Sequence, residues 1–299
     1  MTKIETTSDV LNVGRKGILG LKRHVFNLIT LEKPEDIDQA LSLVKIISKL
    51  SPLVGNLIEH EVCAYLNKLP EFDGLGIWKR QDPDFPDAVF ESSIKPVPGF
   101  EIKAWFPLAT EITARFKESQ KYFLENNTDL VLLAWLPEHL FYGKPQLIDA
   151  ICVPASEVAK SRDNHYHNPP DYLVLEPENT DERTRNLQQT CVNGHKFQGS
   201  REELEKAKLE LSAKGSDIQY YVIDLPYQEE MQKIFNRYRY RLDTNFAKID
   251  RIDNESIETF KERVLKTEIE GKTIKDWGRI FSRSSDEQMK NILQELLFR

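Results

Sequence analysis

The sequence predicts an α/β fold with a central mixed sheet flanked by helices, and three observations carry this prediction. Short β-type runs follow one another at residues 75–80, 87–92 and 99–105, with turn-forming residues between them. The nearly unbroken apolar segment 128–136 is typical of a strand that is buried on both faces of a sheet. Helical periodicity precedes these runs and dominates the chain after residue 227.

Two helices are expected ahead of the sheet. Residues 34–50 carry acidic side chains early and apolar side chains at helical spacing, which favours a helix with a stabilised first turn. Residues 53–68 predict a second helix that ends before Pro70. Glu59 lies beside the apolar face of this second helix, so it is a possible inward-facing carboxylate.

The middle of the chain predicts the remainder of one core. The three β-type runs indicate a small antiparallel meander. A threonine N-cap with a following glutamate predicts a helix over 110–126, directly before the strand 128–136. The predicted core, about residues 53–155, therefore has the order α-β-β-β-α-β.

The second half is expected to extend the same domain, so that residues 1–299 form one α/β domain. Residues 161–171 and 180–198 are polar and remain without an assigned helix or strand, and inserts are expected over about 160–200. Residues 227–299 are expected to be mostly helical. The predicted strands lie at 146–154, 171–177 and 218–226, and the predicted helices at 155–161, 201–215, 229–242, 254–266, 273–281 and 285–298.

Composition limits the class of protein. The chain has 299 residues, of which 40% are hydrophobic and 30% charged, and its net charge is -7. This excludes a uniformly basic DNA-coating protein but not a local basic cleft.

Because no run of 18 apolar residues and no secretory signal are present, we expect a cytoplasmic protein without a membrane partner. Three widely spaced cysteines predict reduced thiols, and a zinc site is disfavoured because the paired Cys or His spacing is missing.

One stretch, residues 81–105, gathers the residues that carry chemistry. Side chains of a strand alternate between its faces, so Glu101 and Lys103 project to the same side. A hairpin-like return would bring Asp87, at the start of the preceding strand, close to Glu101. Two carboxylates and a lysine then share one site, and Mg²⁺ typically takes one or two carboxylates while it keeps several waters.

These residues resemble the motif of the PD-(D/E)XK nuclease superfamily, most closely that of its type II restriction endonucleases. Pro86-Asp87, thirteen intervening residues and Glu101-Ile102-Lys103 lie within the predicted α-β-β-β-α-β order, and the resemblance covers about residues 53–136. It implies a restriction-endonuclease-like core with a helical C-terminal part. It also implies a Mg²⁺-dependent phosphodiesterase in which Asp87, Glu101 and the Ile102 carbonyl bind the metal. Lys103 would position the attacking water.

Further features refine the resemblance. Gly55 and Glu59 look like the G-x-x-x-E of the first helix in some members, which implies that Glu59 lies at the edge of the metal site. Asp84 follows a second proline, but Asp87 directly precedes a strand and is the better match. Exonucleases of the superfamily carry Gln-x-x-x-Tyr on the next helix, whereas Gln120 and Tyr122 are only two apart, so a restriction enzyme is preferred. The resemblance further implies a homodimer that acts on short palindromic sites of double-stranded DNA.

Candidate DNA contacts are polar and basic side chains, since such groups read bases and neutralise phosphates. For the polar segments 161–171 and 182–201, a solvated surface is an equally good interpretation. Two other functions stay open: a repair or structure-selective nuclease with the same core, and a DNA-binding or interaction protein without catalysis. Arginine also alternates with tyrosine over residues 237–241, another candidate basic patch. The candidates for DNA contact are Lys79, Arg80, Arg162, Asn164, His165, His167, Arg183 and Arg185.

Overall fold

The structure, a computed structural model, describes residues 3–81, 84–109, 111–112, 114–116, 119–176, 193–215, 218 and 224–297. The helices are α1 (Thr7–Gly20), α2 (Ile37–Leu66), α3 (Ala155–Tyr166), α4 (Arg201–Ser212), α5 (Leu225–Arg237), α6 (Glu255–Lys266), α7 (Ile274–Arg283) and α8 (Asp286–Leu297). The strands are β1 (Ile77–Arg80), β2 (Ala88–Glu91), β3 (Gly99–Trp105), β4 (Thr128–Pro137), β5 (Pro145–Pro154), β6 (Tyr172–Leu175), β7 (Asn193–Phe197), β8 (Tyr240–Leu242), β9 (Glu268–Ile269) and β10 (Lys272–Thr273).

The chain divides into two compact units. The first consists of Met1–Ala114, Asn127–Val153 and Glu255–Arg299, and the second of Arg115–Asn126 and Pro154–Asn254. A single domain over residues 1–299 stays a prediction.

The first unit is built on a five-stranded mixed sheet of order β1-β2-β3-β4-β5 that is flanked by helices. The pairs β1–β2 and β2–β3 are antiparallel, whereas β3 and β4 are parallel, with Gly99 opposite Thr128 and Trp105 opposite Ala134. Every residue of β4 is buried, as its apolar sequence predicted. The predicted α/β class with a central mixed sheet is thereby confirmed.

Helix α1 was not predicted, although its start carries a recognisable signal. Thr6 accepts a hydrogen bond from the Asp9 N–H, and the Asp9 side chain accepts one from the Thr6 N–H, which forms a capping box. The helix lies close to the sheet because Gly14 has no side chain. A Cβ at Gly14 would be 2.6 Å from the ring of Phe100.

Helix α2 corrects the prediction of two helices over 34–50 and 53–68. It continues through Pro52, although an interior proline typically costs about 3 kcal/mol. Apolar residues on both sides of the proline, Ile47 and Val54 among them, are buried, so tertiary packing outweighs this cost. Among the described residues α2 is also the one helix that could span a membrane by length and composition, a test that core helices of soluble proteins pass as well.

The helix predicted over 110–126 is wrong for the residues that are described there. Phe116 donates its N–H to the Ala247 carbonyl at 2.7 Å, and Arg115 forms a β-bridge with Lys248. Only 120–123 form one short 3₁₀ turn. Hydrogen bonds to another segment thus override the local helical propensity. Over residues 53–155 the described elements follow the order α-β-β-β-β-β, and the described residues between β3 and β4 contain no α-helix.

The second unit contains the three-stranded antiparallel sheet β6-β7-β8 with helices α3, α4 and α5. Helix α3 extends to Tyr166, so the polar segment 161–171 is partly helical rather than a loop. Strand β7 occupies a segment to which no element was assigned. Most of the predicted strand 218–226 lies outside the described residues, and its end at Leu225 already belongs to α5.

The mostly helical C-terminal region is present as α5 to α8, with β8 and the hairpin β9–β10 between the helices. The helix predicted over 229–242 ends at Arg237 and is followed by β8. The alternation of tyrosine and arginine over 238–241 has the period of a strand, which explains this change. The short hairpin β9–β10 then precedes α7.

Candidate active site

The candidate site lies on the β2 side of strand β3, where the ladder between the two strands ends. Backbone pairing between β2 and β3 reaches only Ala88 opposite Phe100. Beyond that point the strands diverge, and the edge of β3 needs other partners for its backbone groups. Two carboxylates supply them.

Asp87, directly before β2, supplies the first of these partners. Its Oδ2 accepts the Ile102 N–H at 2.8 Å. In return, the Asp87 N–H donates to Glu101 Oε2 at 3.2 Å. Glu101 is therefore held by the N–H of Asp87, and Asp87 is held by the N–H of the residue that follows Glu101. Both carboxylates are fixed at the edge of β3.

Lys103 joins these two carboxylates. Its Nζ lies 2.6 Å from Glu101 Oε1 and 3.0 Å from Asp87 Oδ2. The side chains are largely shielded from water, with exposed fractions of 19% for Lys103, 18% for Asp87 and 8% for Glu101. The structure thus brings together the acid, acid and lysine that the sequence singled out.

Glu59 supplies the second partner of the β3 edge. It projects from α2, and its Oε1 lies 3.4 Å from the Ala104 N–H, a long hydrogen bond. Gly55, one turn earlier on α2, permits this approach: a Cβ there would lie 3.3 Å from the Ala104 Cβ. Arg80 of β1 approaches Glu59 Oε2 at 3.7 Å.

Burial and neighbouring charges shift the acid–base behaviour of these groups. Burial raises the pKa of Glu101 to about 7, although the Lys103 ammonium opposes the shift. Burial likewise raises the pKa of Glu59 to about 7, again against the effect of Lys103. Burial of Lys103 disfavours its charge, but the carboxylates of Glu101, Asp87 and Glu59 outweigh this and raise its pKa. Lys103 is therefore a charged hydrogen-bond donor at neutral pH.

The donor set suits a hard divalent cation. Asp87 and Glu101 offer carboxylate oxygens, and the N–H and C=O of one residue in an extended strand point to the same side. The Ile102 carbonyl therefore points toward the side on which Asp87 accepts the Ile102 N–H. Among the described residues no group of three or more His, Cys, Asp or Glu could hold a metal ion. Two carboxylates are enough for Mg²⁺, however, because this ion is commonly bound through one or two carboxylates with water completing its shell.

The candidate DNA-contact residues occupy different environments. Lys79 is exposed and pairs with Glu91, whereas Arg80 lies beside Glu59. Asn164 and His165 are exposed near the end of α3. Arg183 and Arg185 lie outside the described residues.

Two of these candidates require a correction. Arg162 is completely buried and pairs with Asp163 and, at 3.6 Å, with Glu176. His167 is buried too, and its Nδ1 accepts the Val174 N–H at 3.2 Å. Both side chains satisfy polar groups in the interior of the second unit, so they do not form a surface that DNA could reach.

Sequence reasoning missed how Arg80 and Gly55 contribute to the site. Arg80 was interpreted as a DNA contact, and the structure places its guanidinium 3.7 Å from Glu59 Oε2. Its position follows from β1 pairing, since Arg80 is opposite Ala88, the residue after Asp87. A correct prediction of the β1–β2 register would have placed Arg80 next to the site.

Comparison with known proteins gives no match to this chain from any family model, any curated protein or any solved structure.

Proposed function

We propose that this protein is a Mg²⁺-dependent endonuclease that hydrolyses phosphodiester bonds of double-stranded DNA. One observation carries the proposal: the Lys103 ammonium lies within hydrogen-bond distance of both Asp87 and Glu101 at the edge of a central strand. The resemblance to the PD-(D/E)XK superfamily supports it, as does the sheet order in which three antiparallel-paired strands are followed by a parallel one.

The proposed roles follow from the chemistry of each group. Asp87, Glu101 and the Ile102 carbonyl would hold the ion. When bound, Mg²⁺ supplies positive charge that stabilises the phosphate oxygens in the transition state. Lys103 donates hydrogen bonds and orients the attacking water.

The reaction balances as a simple hydrolysis. The water oxygen forms a bond to phosphorus while the bond from phosphorus to one ester oxygen breaks. The attacking water passes its proton to bulk solvent, and the released alkoxide takes a proton from solvent. Glu59 is held against the Ala104 N–H, and where it is ionised, above its pKa of about 7, it adds negative charge to the site and strengthens the attraction for a cation.

Within this class we propose a type II restriction enzyme, a choice that the resemblance alone supports. Incubation of the protein with plasmid DNA, with Mg²⁺ or with a chelator, tests both levels of the proposal. Discrete bands that need Mg²⁺ are expected. Smears or structure-dependent cuts would favour a repair nuclease, and intact plasmid would contradict nuclease activity.

A further inference from the structure

The sheet β6-β7-β8 of the second unit has two faces with different surroundings. Residues directly opposite each other in antiparallel strands share one face. The rows across the sheet are Leu173, His195 and Leu242 on one face, and Tyr172, Lys196 and Arg241 on the other.

The first face packs on helices α4 and α5. Leu173 forms a buried cluster with Leu211 of α4 and with Met231 and Ile234 of α5. His195 contacts the ring of Phe235 on the same side. This face therefore belongs to the core of the unit.

The second face is covered at one end only. Tyr172 and Val174 form a buried cluster with Phe246 and Ala247. The cover is close, since a Cβ at Gly194 would lie 2.5 Å from the Phe246 ring. At the other end Lys196 and Arg241 are exposed. This exposed half of the face is called the basic strand face.

Arg239 extends the basic strand face. The Gln198 N–H donates to the Arg239 carbonyl at 2.7 Å, which continues the pairing of β7 with the segment before β8. The side chain of Arg239 is 77% exposed and lies 3.8 Å from Glu203. An exposed pair at that distance contributes little to stability.

Two of the three basic residues on this face, Lys196 and Arg241, have no ion-pair partner within the described part of the chain. Lys196 and Arg241 are directly opposite, an arrangement that is destabilising for like charges. Neither has an ion-pair partner among the described residues, in contrast to other lysines of the same unit. Those lysines pair with glutamates as Lys206–Glu202, Lys208–Glu205 and Lys233–Glu230.

We infer that the basic strand face binds the phosphate backbone of a nucleic acid. The Cβ positions of its basic residues are about 5 Å apart across the strands and about 7 Å apart along them, so their charges extend over a surface that suits several phosphates better than one small anion. A polyanion would offset the repulsion between Lys196 and Arg241, and each neutralised phosphate would release counterions. That the polyanion is DNA rests on the proposed function.

The test measures how salt affects DNA binding. The affinity of the full chain for a fluorescent DNA duplex is titrated between about 50 and 200 mM salt, with Ca²⁺ in place of Mg²⁺. The variant is Lys196→Gln/Arg241→Gln, and the matched control is Lys206→Gln/Lys208→Gln on α4, which removes the same charge from the same unit. The plot of log K against log salt has a negative slope, and the first variant should reduce its magnitude by about two. The control should leave the slope unchanged.

Two further variants and probes keep the result interpretable. The charge-retaining Lys196→Arg/Arg241→Lys should keep the wild-type slope. The melting temperature of Lys196→Gln/Arg241→Gln should be unchanged or higher, because a repulsive pair is removed. If Lys196→Gln/Arg241→Gln no longer binds an acidic peptide or anionic vesicles that the wild type binds, while its DNA binding is unchanged, the inference is overturned.

The outcomes separate this inference from the proposed function. Three results would overturn the inference about the basic strand face: an unchanged slope, an equal change of slope in the control, or a wild-type protein that binds no DNA. If the wild type cuts plasmid while the slope is unchanged, only this inference fails. If the slope falls as expected while the wild type leaves plasmid intact in the presence of Mg²⁺, the proposed function fails and the basic strand face stands.

Discussion

Asp87 and Glu101 hold each other in place through hydrogen bonds from the main chain. The Asp87 N–H donates to Glu101, and Asp87 accepts the N–H of Ile102. The strand period of two placed Glu101 and Lys103 on one side, and the hairpin placed Asp87 near them, so the sequence was sufficient to identify this cluster. Their catalytic roles stay predictions.

Removal of either acid should abolish cleavage. Asp87→Ala or Glu101→Ala takes away one of two proposed metal ligands, and DNA binding should persist or become tighter, because a negative charge that faces phosphate is lost. The measurements are plasmid cleavage and DNA affinity. Asp73→Ala, at an exposed position of the same unit, is the control and should be fully active. Normal cleavage by either site variant would refute the metal site.

Glu59 should make stability depend on pH. Its pKa is raised from 4.5 to about 7 in the folded protein, so the folded state retains a proton that the unfolded state loses. Ionisation of Glu59 should therefore remove up to roughly 3 kcal/mol of stability as pH rises from about 4.5 to 7, in addition to the loss from Glu101, whose pKa is also raised to about 7. Glu59→Gln cannot ionise, so it should lack the Glu59 contribution and keep that of Glu101. Denaturant unfolding at pH 5 and pH 8 measures the difference.

The exposed Glu71 gives a control for the titration of Glu59. Glu71→Gln should unfold with the same pH dependence as wild type. Glu59→Gln should also need more Mg²⁺ for cleavage, because a negative charge at the outer part of the site is removed. A metal titration identical to that of wild type would exclude Glu59 from the site.

At the level of elements, the contact between α2 and β3 sets the position of Glu59. Gly55→Val should place methyl groups against Ala104, where even a Cβ is 3.3 Å away, and push α2 from the strand. We expect a loss of about 1–3 kcal/mol in stability and a fall in cleavage. Gly20→Val is the control, because nothing lies within 4 Å of a Cβ there. Equal stability and activity of both variants would contradict the proposed role of this contact.

Elements with a strong period were predicted well, whereas elements that depend on distant partners were not. The buried strand β4 and the meander β1 to β3 follow from local sequence. The helix expected at 110–126 fails because Phe116 finds its hydrogen-bond partner at Ala247, far along the chain. The break expected between the helices 34–50 and 53–68 is absent, because burial on both sides of Pro52 carries α2 through it. Such long-range contacts leave no local signal.

At the level of the whole molecule, cleavage of both strands at a symmetric site calls for two active sites. We therefore expect a homodimer with a mass of about twice 34.8 kDa, as the resemblance implies. Sedimentation with and without DNA measures the mass. Plasmid should become linear without accumulation of a nicked form. A monomer that only nicks DNA would contradict the restriction-enzyme proposal but leave the nuclease proposal intact.

The central claim is that Lys103 acts on the attacking water beside two metal-binding carboxylates, and single-turnover cleavage of plasmid DNA tests it most directly. Lys103→Met keeps the side-chain stem and removes the ammonium that lies 2.6 Å from Glu101. Calorimetric titration with Mg²⁺ or Ca²⁺ is run beside the cleavage assay, and Lys45→Met at the exposed Lys45–Asp286 pair is the control. Metal binding should survive in Lys103→Met and become tighter, because the ammonium no longer competes for the same oxygens. Cleavage should fall about a hundredfold or more, while Lys45→Met cuts normally. Cleavage by Lys103→Met at the wild-type rate would contradict the account.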